Sequence, residues 1–347
     1  MRLYRSTFTF LAFLVLSISC NKKGHEVEPN ENCRFTGKSS LTKQITLGGT
    51  TTYTYESHLQ QDEEGKLTLI TVVQNRDQDP GSAFSSNESE DEKYTFKYDA
   101  DGFLVEIKRY KLILQQGNFS YFDYPFYKKG RIEINDITTF TYANKLVLSS
   151  FNKNTTVVQG DNYLAKTFQT NLTKTYEYDP QGLVQAIKQK SETGSESTAY
   201  FKNGIKVFAD TENTKYDAKG RVIRSAYAGA EQIIEYDAND NITLVESRYQ
   251  SKLQYSESRQ FDNRRNPEAL IPSRYKGIPD DIKILYSTDG QNNIVKKTVT
   301  YPDREPYIEN TLWKYHPNGL PETATLTVDY PGNKVTAVTK FNYENCD

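Results

Sequence analysis

One phrase recurs along this chain: an aromatic residue, an acid, two variable residues and usually a glycine, followed by a return to apolar residues. It reads Tyr98-Asp99-Ala100-Asp101-Gly102, Tyr178-Asp179-Pro180-Gln181-Gly182 and Tyr216-Asp217-Ala218-Lys219-Gly220, with looser forms at Tyr236-Asp237, Phe261-Asp262 and Tyr315-His316-Pro317-Asn318-Gly319. Repetition at intervals of about twenty to forty residues constrains an architecture before any single motif is weighed. The acid and the glycine are turn chemistry, because Asp caps its own turn and Gly takes positive φ without a steric penalty. Around the first phrase the pattern has period two. Tyr94, Phe96 and Tyr98 alternate with Thr95 and Lys97, and the return runs Phe103, Val105, Ile107 against Leu104, Glu106, Lys108.

Similar pairs flank Tyr176/Tyr178, Ile234/Tyr236 and Leu326/Val328/Tyr330. The chain holds 26 Tyr and 17 Phe, a strand vocabulary, and beyond weak stretches such as 267–271 it has no sustained helical period. The expected fold is all-β: an antiparallel meander of repeated β-hairpins forming a curved, coiled sheet or an open barrel. The longest gap in the rhythm lies between Tyr98 and Tyr178.

The first residues have a different character. Arg2 and Arg5 precede an uncharged run from Ser6 to Ser19, rich in Phe, Leu and Val, that ends on small residues before Cys20. A charged start, an apolar stretch too short to span a bilayer as a mature helix and a small-residue end make a secretory signal. Leu16-Ser17-Ile18-Ser19-Cys20 resembles a bacterial lipoprotein signal, departing from it at Ser17, where Leu is usual. The resemblance implies that Cys20 becomes the acylated first residue of the mature chain and holds it at a membrane. The alternative is a cut elsewhere that leaves Cys20 a plain thiol. Residues 21–30 are polar and cannot bury a core, so they read as a flexible tether. The expected organisation is a signal peptide at 1–19, a lipidated Cys and tether at 20–32, and one all-β domain at 33–347. By the same resemblance, the absence of Asp directly after Cys20 favours the outer membrane, with the domain facing either the periplasm or the outside.

With Cys20 lipidated, Cys33 and Cys346 remain, one after the tether and one next to the end. An oxidising compartment permits a bond that clasps the domain ends; two free thiols are the alternative. They are too few and too far apart for a metal site, and no metal or cofactor is expected. A net charge of −2, with both signs interspersed, offers no basic stripe for nucleic acid.

No catalytic constellation emerges. The histidines are His25, His58 and His316, the first in the tether and the third in a repeat turn; nucleophile elbows, His-Glu-x-x-His pairs and phosphate-cradling loops are missing. Asp62-Glu63-Glu64 and Glu90-Asp91-Glu92 read as polar loops with solvated acids. Asp99-Ala100-Asp101-Gly102 lacks the rest of a calcium loop, so its acids read as turn residues. Trp313 reads as a core anchor. The candidate binding residues are Phe119, Tyr121, Phe122, Tyr124, Phe126 and Tyr127, a dense aromatic run inside the repeat gap. Exposed, it would stack sugar rings or a partner's apolar patch; buried, it is strand core bent at Pro125.

The Tyr-Asp-x-x-Gly phrases, together with Phe261-Asp262-Asn263-Arg264-Arg265-Asn266-Pro267, Asn292-Asn293-Ile294 and the strands from Tyr315 to Tyr343, resemble YD repeats. These are the short hairpin units of RHS-type proteins and of bacterial lipoproteins with degenerate copies of them. The resemblance covers residues 45–344 and is strongest from 176 onward. It implies consecutive hairpins coiled around an interior, with the irregular spacing favouring a curved sheet or compact open barrel over a large closed shell. The expected role is non-catalytic: a lipid-anchored envelope protein that binds a partner at the outer membrane. The alternatives are a glycan-binding accessory lipoprotein and a cryptic hydrolase with two acids across a cleft.

Overall fold

The structure is a computed structural model that describes residues 33–46, 49–78, 87–116, 119–121, 124–126, 129–160, 163–202, 205–207, 214–219, 221–267, 291–330 and 333–346. Strand follows strand throughout. The first are β1 (Arg34–Thr46), β2 (Gly49–Gln61), β3 (Leu67–Gln78), β4 (Asn87–Tyr98) and β5 (Leu104–Gln116). A separate two-stranded ribbon comes next, β6 (Phe119–Tyr121) with β7 (Tyr124–Phe126). Long strands β8 (Lys129–Ala143), β9 (Leu146–Gly160) and β10 (Tyr163–Tyr178) lead to β11 (Val184–Ser191), β12 (Glu196–Lys202) and β13 (Ile205–Val207). The second half holds β14 (Lys215–Tyr216), β15 (Val222–Tyr227), β16 (Ala230–Tyr236), β17 (Ile242–Tyr249) and β18 (Lys252–Arg265). It closes with β19 (Asn292–Tyr301), β20 (Arg304–Tyr315), β21 (Pro321–Tyr330) and β22 (Asn333–Glu344).

All strands except β6 and β7 belong to one 20-stranded antiparallel sheet. Neighbours in sequence pair with each other, β5 passing directly to β8. The exception is β1, which pairs with β2 on one side and with β22 on the other, so the two ends of the domain meet in the middle of the sheet. Its free edges are β13 and β14, which no ladder joins among the described residues; the sheet is not closed. Cys33 and Cys346, 313 positions apart, are disulfide-bonded beside the β1/β22 junction.

In most of its copies the recurrent phrase makes one turn built the same way, whereas Phe261-Asp262 lies inside β18. Asp99 Oδ1 accepts the Asp101 and Phe103 amides at 3.0 and 2.8 Å, and the Gly102 amide returns to the Asp99 carbonyl at 3.1 Å. Asp179, Asp217 and Asp237 repeat the side-chain pattern with their own amides. Asp62 does so too, taking the Glu64 and Lys66 amides at 3.0 and 2.8 Å, although Gln61 stands where the aromatic belongs. In the His316 turn, Asn318 Oδ1 takes the Leu320 amide instead.

The return strand then carries one extra residue. Tyr98 faces Leu104 while Lys97 faces Glu106, leaving Val105 as a bulge. The same step recurs at Gln61/Leu67, Tyr142/Val147, Tyr178/Val184, Tyr216/Val222, Tyr236/Ile242 and Tyr315/Pro321. This corrects the simple alternation Phe103, Val105, Ile107: the bulge shifts the phase, and Leu104, fully buried, joins Ile107 in the core.

Consecutive units are tied by their tyrosines. Tyr98 donates to the Leu67 carbonyl at 2.8 Å, Tyr142 to Leu104 at 2.5 Å, Tyr178 to Val147 at 2.7 Å, Tyr236 to Val222 at 3.2 Å and Tyr343 to Pro321 at 2.9 Å. Each acceptor is the residue facing the previous unit's turn-flanking position, where the bulge withdraws a carbonyl from the ladder. Tyr142 fills the gap between Tyr98 and Tyr178. Its turn runs through Asn144 and Lys145, both at positive φ, rather than through Asp and Gly, so the structural rhythm continues where the written one lapses.

Because the strands antiparallel-pair in order, all these turns share one end of the sheet with Cys33 and Cys346. The main core lies there on one face: Phe35, Leu59, Leu67, Ile70, Leu104, Phe140, Val147 and Phe341. Trp313 packs against it, stacked on Phe341 with 5.6 Å between ring centres, its indole N–H donating to the Ile294 carbonyl at 2.9 Å. A smaller cluster of Ile113, Ile132 and Val158 continues that face toward the other end. Burying each such side chain stabilises by roughly 1.5–3 kcal/mol.

Candidate functional site

Beyond the core, the same face of the sheet turns polar. Glu90-Asp91-Glu92 is not a loop but part of β4, where Glu90 and Glu92 point to the core face and Asp91 to the other. Across β4, β5, β8 and β9 these acids enter a continuous chain. The Tyr94 hydroxyl donates to Glu92 Oε1 at 2.7 Å, and Arg109 Nε donates to the same oxygen at 2.5 Å. Arg109 Nη1 then reaches Asp136 Oδ2 at 3.1 Å, Asn154 Nδ2 donates to Asp136 Oδ1, and Thr156 donates to Asn154 Oδ1 at 2.9 Å. Lys111 pairs with Glu90 at 2.6 Å one step further along. In the second half, Arg259 pairs with Glu257 at 2.5 Å and Lys297 with Glu309 at 2.8 Å. Burial pushes the Tyr94 phenol up, and its hydrogen bond to Glu92 pushes it further. Each of these carboxylates is held by a cation, an arrangement that stiffens a wall.

The opposite face alternates differently. Lys93, Lys108, Arg131 and Lys153 stand exposed on it, beside scattered apolar residues such as Leu41, Val73 and Val338, which line a groove of about 530 Å³. This mixture is unlike the unbroken apolar band that faces lipid in a membrane barrel.

The structure does not bring the residues singled out from the sequence into one site. Cys20 and the tether lie outside the described residues. Of the aromatic run, Phe122 and Tyr127 also lie outside them, while the backbone of the rest forms the β6–β7 ribbon at the end opposite the Tyr-Asp turns. Its register sets Phe119 against Phe126, Tyr121 against Tyr124 and Ser120 against Pro125.

A further cleft was not evident from the sequence. At the ribbon's end of the sheet, the β17–β18 turn at Gln250-Ser251 and the β19–β20 turn at Pro302-Asp303 flank a space of about 850 Å³. Tyr301 is among its lining residues, with the Arg304 guanidinium over the ring at 3.6 Å from its centre and Tyr255 edge-on at 5.5 Å. Lys252 and Asp303 complete its rim. The Tyr255 hydroxyl is tied down to Glu257, and burial, reinforced by that carboxylate, pushes its phenol up. Lys252 on β18 and Arg304 on β20 are 52 positions apart and line one space only because β19 pairs with both strands; the one local signal is the Pro302-Asp303 turn.

No protein-family model matches the chain, and no curated protein matches it. Among solved structures, a porin-like protein from Bacteroides uniformis is similar at TM-score 0.36 and 12% identity, over 89% of this chain and 96% of that one. A porin-like protein from Bacteroides vulgatus gives TM-score 0.22 at 10% identity, over 88% and 97%. The structure of TcdB2-TccC3-Cdc42 gives 0.34 at 12%, over 85% of this chain and 17% of that one. These similarities are too low to carry an argument, and the functional reading rests on the chain's own residues.

Proposed function

We propose that the chain is a non-catalytic, lipid-anchored envelope protein that binds a partner at the outer membrane, held by acylated Cys20 and a short polar tether. The observation that carries this reading is the Arg-flanked apolar run ending at Cys20, followed by a polar segment that stops at Cys33, where the sheet begins. Two structural features support it. The exposed lysines and arginine on the face away from the core would each cost roughly 2–4 kcal/mol at a bilayer midplane, favouring an anchor over a spanning barrel. Asp99, Asp179, Asp217 and Asp237 are spent on turn amides, and Tyr98, Tyr178 and Tyr236 on carbonyls, which favours binding over chemistry.

The test is metabolic labelling with a fatty-acid precursor. The wild-type chain takes up label and fractionates with the outer membrane, whereas Cys20→Ala loses the label; continued labelling of Cys20→Ala overturns the anchor. Protease treatment of intact cells then separates the two orientations.

The aromatic ribbon favours a glycan as the bound partner. Replacing Tyr121, Tyr124 and Tyr127 with Ala should remove retention on immobilised envelope polysaccharide while the fold persists, and unchanged retention would sink the ribbon as the platform.

A further inference from the structure

We propose that the cleft between the Gln250-Ser251 and Pro302-Asp303 turns binds a carboxylate-bearing sugar of an acidic glycan. The sugar's carboxylate would lie between Arg304 and Lys252, and its apolar face along Leu253 and Pro302. The inference deepens the glycan reading above but uses a different surface.

The size fits first. A space of about 850 Å³ lies within the range of small-ligand sites and accommodates one or two sugar units. The chemistry is more selective. Leu253 and Pro302 offer apolar surface for pyranose C–H groups beside the two cations, while Gln254 and Asp303 supply polar contacts at the edge. Arg304 lies over the Tyr301 ring, held there by the ring's negative face. The planar fork of a guanidinium matches a carboxylate with two parallel hydrogen bonds.

Charge separates these cations from those on the wall below. Arg259 on β18 and Lys297 on β19 are paired with Glu257 and Glu309. No ion pair is formed by Arg304 or Lys252 among the described residues, so the two reach the rim uncommitted. Asp303 on the same rim offsets one of the two positive charges. A site with one net positive charge suits a monoanionic uronate better than a phosphate dianion, and the carboxylate of Asp303 can accept the sugar's hydroxyls. The cleft also opens at the end of the sheet that carries the aromatic ribbon, away from the Tyr-Asp turns and the Cys33–Cys346 bond, so a polymer can lie across this end without displacing any part of the core.

The experiment is titration calorimetry on the full chain, purified in detergent, with tetragalacturonate as probe and maltotetraose as its neutral counterpart. Tetragalacturonate should bind and maltotetraose should not. Arg304→Gln should weaken binding about tenfold or more, the loss expected of a charge-assisted contact. Arg304→Lys, which keeps the charge but not the fork, should fall between. Lys252→Gln should weaken it by a smaller factor, and added salt should weaken it in the wild type. Both side chains are exposed, so the thermal transition of each variant should match the wild type. Absence of binding, equal binding of the neutral sugar, or unchanged affinity in Arg304→Gln overturns the proposal. None of these outcomes touches the anchor at Cys20 or the ribbon, whose own variants leave this cleft intact. Cleavage of the probe would instead overturn the non-catalytic reading while leaving the site.

Discussion

The hydroxyl of Tyr178 reaches back 31 positions to donate to the carbonyl of Val147 at 2.7 Å, and Tyr98 spans the same 31 positions to Leu67. Each bond joins one hairpin to the one before it at the bulge that follows the turn. Tyr178→Phe keeps the ring and leaves the Val147 carbonyl, on a fully buried residue, without this donor. The expected cost is about 1–2 kcal/mol, read as a lower urea midpoint at unchanged slope. Tyr142→Phe should behave alike, since it is the same tie in a unit that lacks the Asp and Gly; a variant as stable as wild type would show the tie to be incidental.

Gly37 is set by a different constraint. It follows the β1 bulge at φ 146°, and a Cβ there would lie 1.9 Å from the Ser57 carbonyl oxygen on β2. Backbone cannot swing aside as a side chain can. Gly37→Ala should therefore cost about 3 kcal/mol or more. Gly194→Ala, at φ 86° with nothing within 4 Å, should cost only the conformational strain of about 1–2 kcal/mol. Equal midpoints for the two variants in denaturant would contradict the clash.

These residues also show what could be read from the sequence. The Tyr98-Asp99 turn was legible because its hydrogen bonds close within five residues, and hairpins repeated that often imply a meander. Tyr142 was not legible, because its turn uses Asn144 and Lys145 at positive φ and carries no acid to mark it. The phase of Leu104 was lost because a bulge adds one residue where period two allows none. Glu90 and Glu92 looked like loop acids because their partners, Lys111 and Arg109, lie on the following strand. The rim cleft was further out of reach: neither Lys252 nor Arg304 has a local signature, and only strand register brings them together.

Arg109 is the hub of the polar chain between Glu92 and Asp136. Arg109→Met keeps the length of the side chain and removes the charge, leaving Glu92, 8% exposed, without its cation. Breaking one side of a buried pair costs about 3–5 kcal/mol, and the partly exposed guanidinium places this case toward the lower figure. Replacing Arg109, Glu92 and Asp136 together with apolar residues should recover much of that loss, because no charge is then stranded. Thermal unfolding of the single and triple variants checks the ordering, and a triple variant less stable than the single would refute it.

The Cys33–Cys346 bond closes nearly the whole domain into one loop, beside the register in which β1 meets β22. Removing it by Cys33→Ser with Cys346→Ser frees the largest loop the domain has, and the expected loss is about 2–5 kcal/mol. The loss should be local before it is global. Hydrogen exchange should rise first in Arg34–Thr46 and Asn333–Glu344, where the two chain ends pair, and last at the β4–β5–β8 wall. Uniform acceleration across the sheet would show that the bond acts on the unfolded chain alone.

The tyrosine ties make stability fall in alkali. Burial pushes the phenols of Tyr98, Tyr142 and Tyr343 above their ordinary value, because an ionised oxygen there would lose its water while its neighbour is a carbonyl that cannot donate to it. In the unfolded chain a phenol ionises near pH ~10. Below that pH both states hold the proton, and the stabilisation is complete. Above it the unfolded chain gives up protons that the fold retains, so each further unit of pH lowers the unfolding free energy by about 1.4 kcal/mol per retained proton. Stability should therefore be flat from neutral pH to about 9 and drop steeply beyond about 10, with these phenolates appearing in the ultraviolet only as the sheet unfolds. Converting all three to Phe should lower stability at neutral pH and flatten the alkaline decline. Phenolate absorbance that develops fully while the far-ultraviolet signal of the sheet is unchanged would show that the hydroxyls are not held as the ties require.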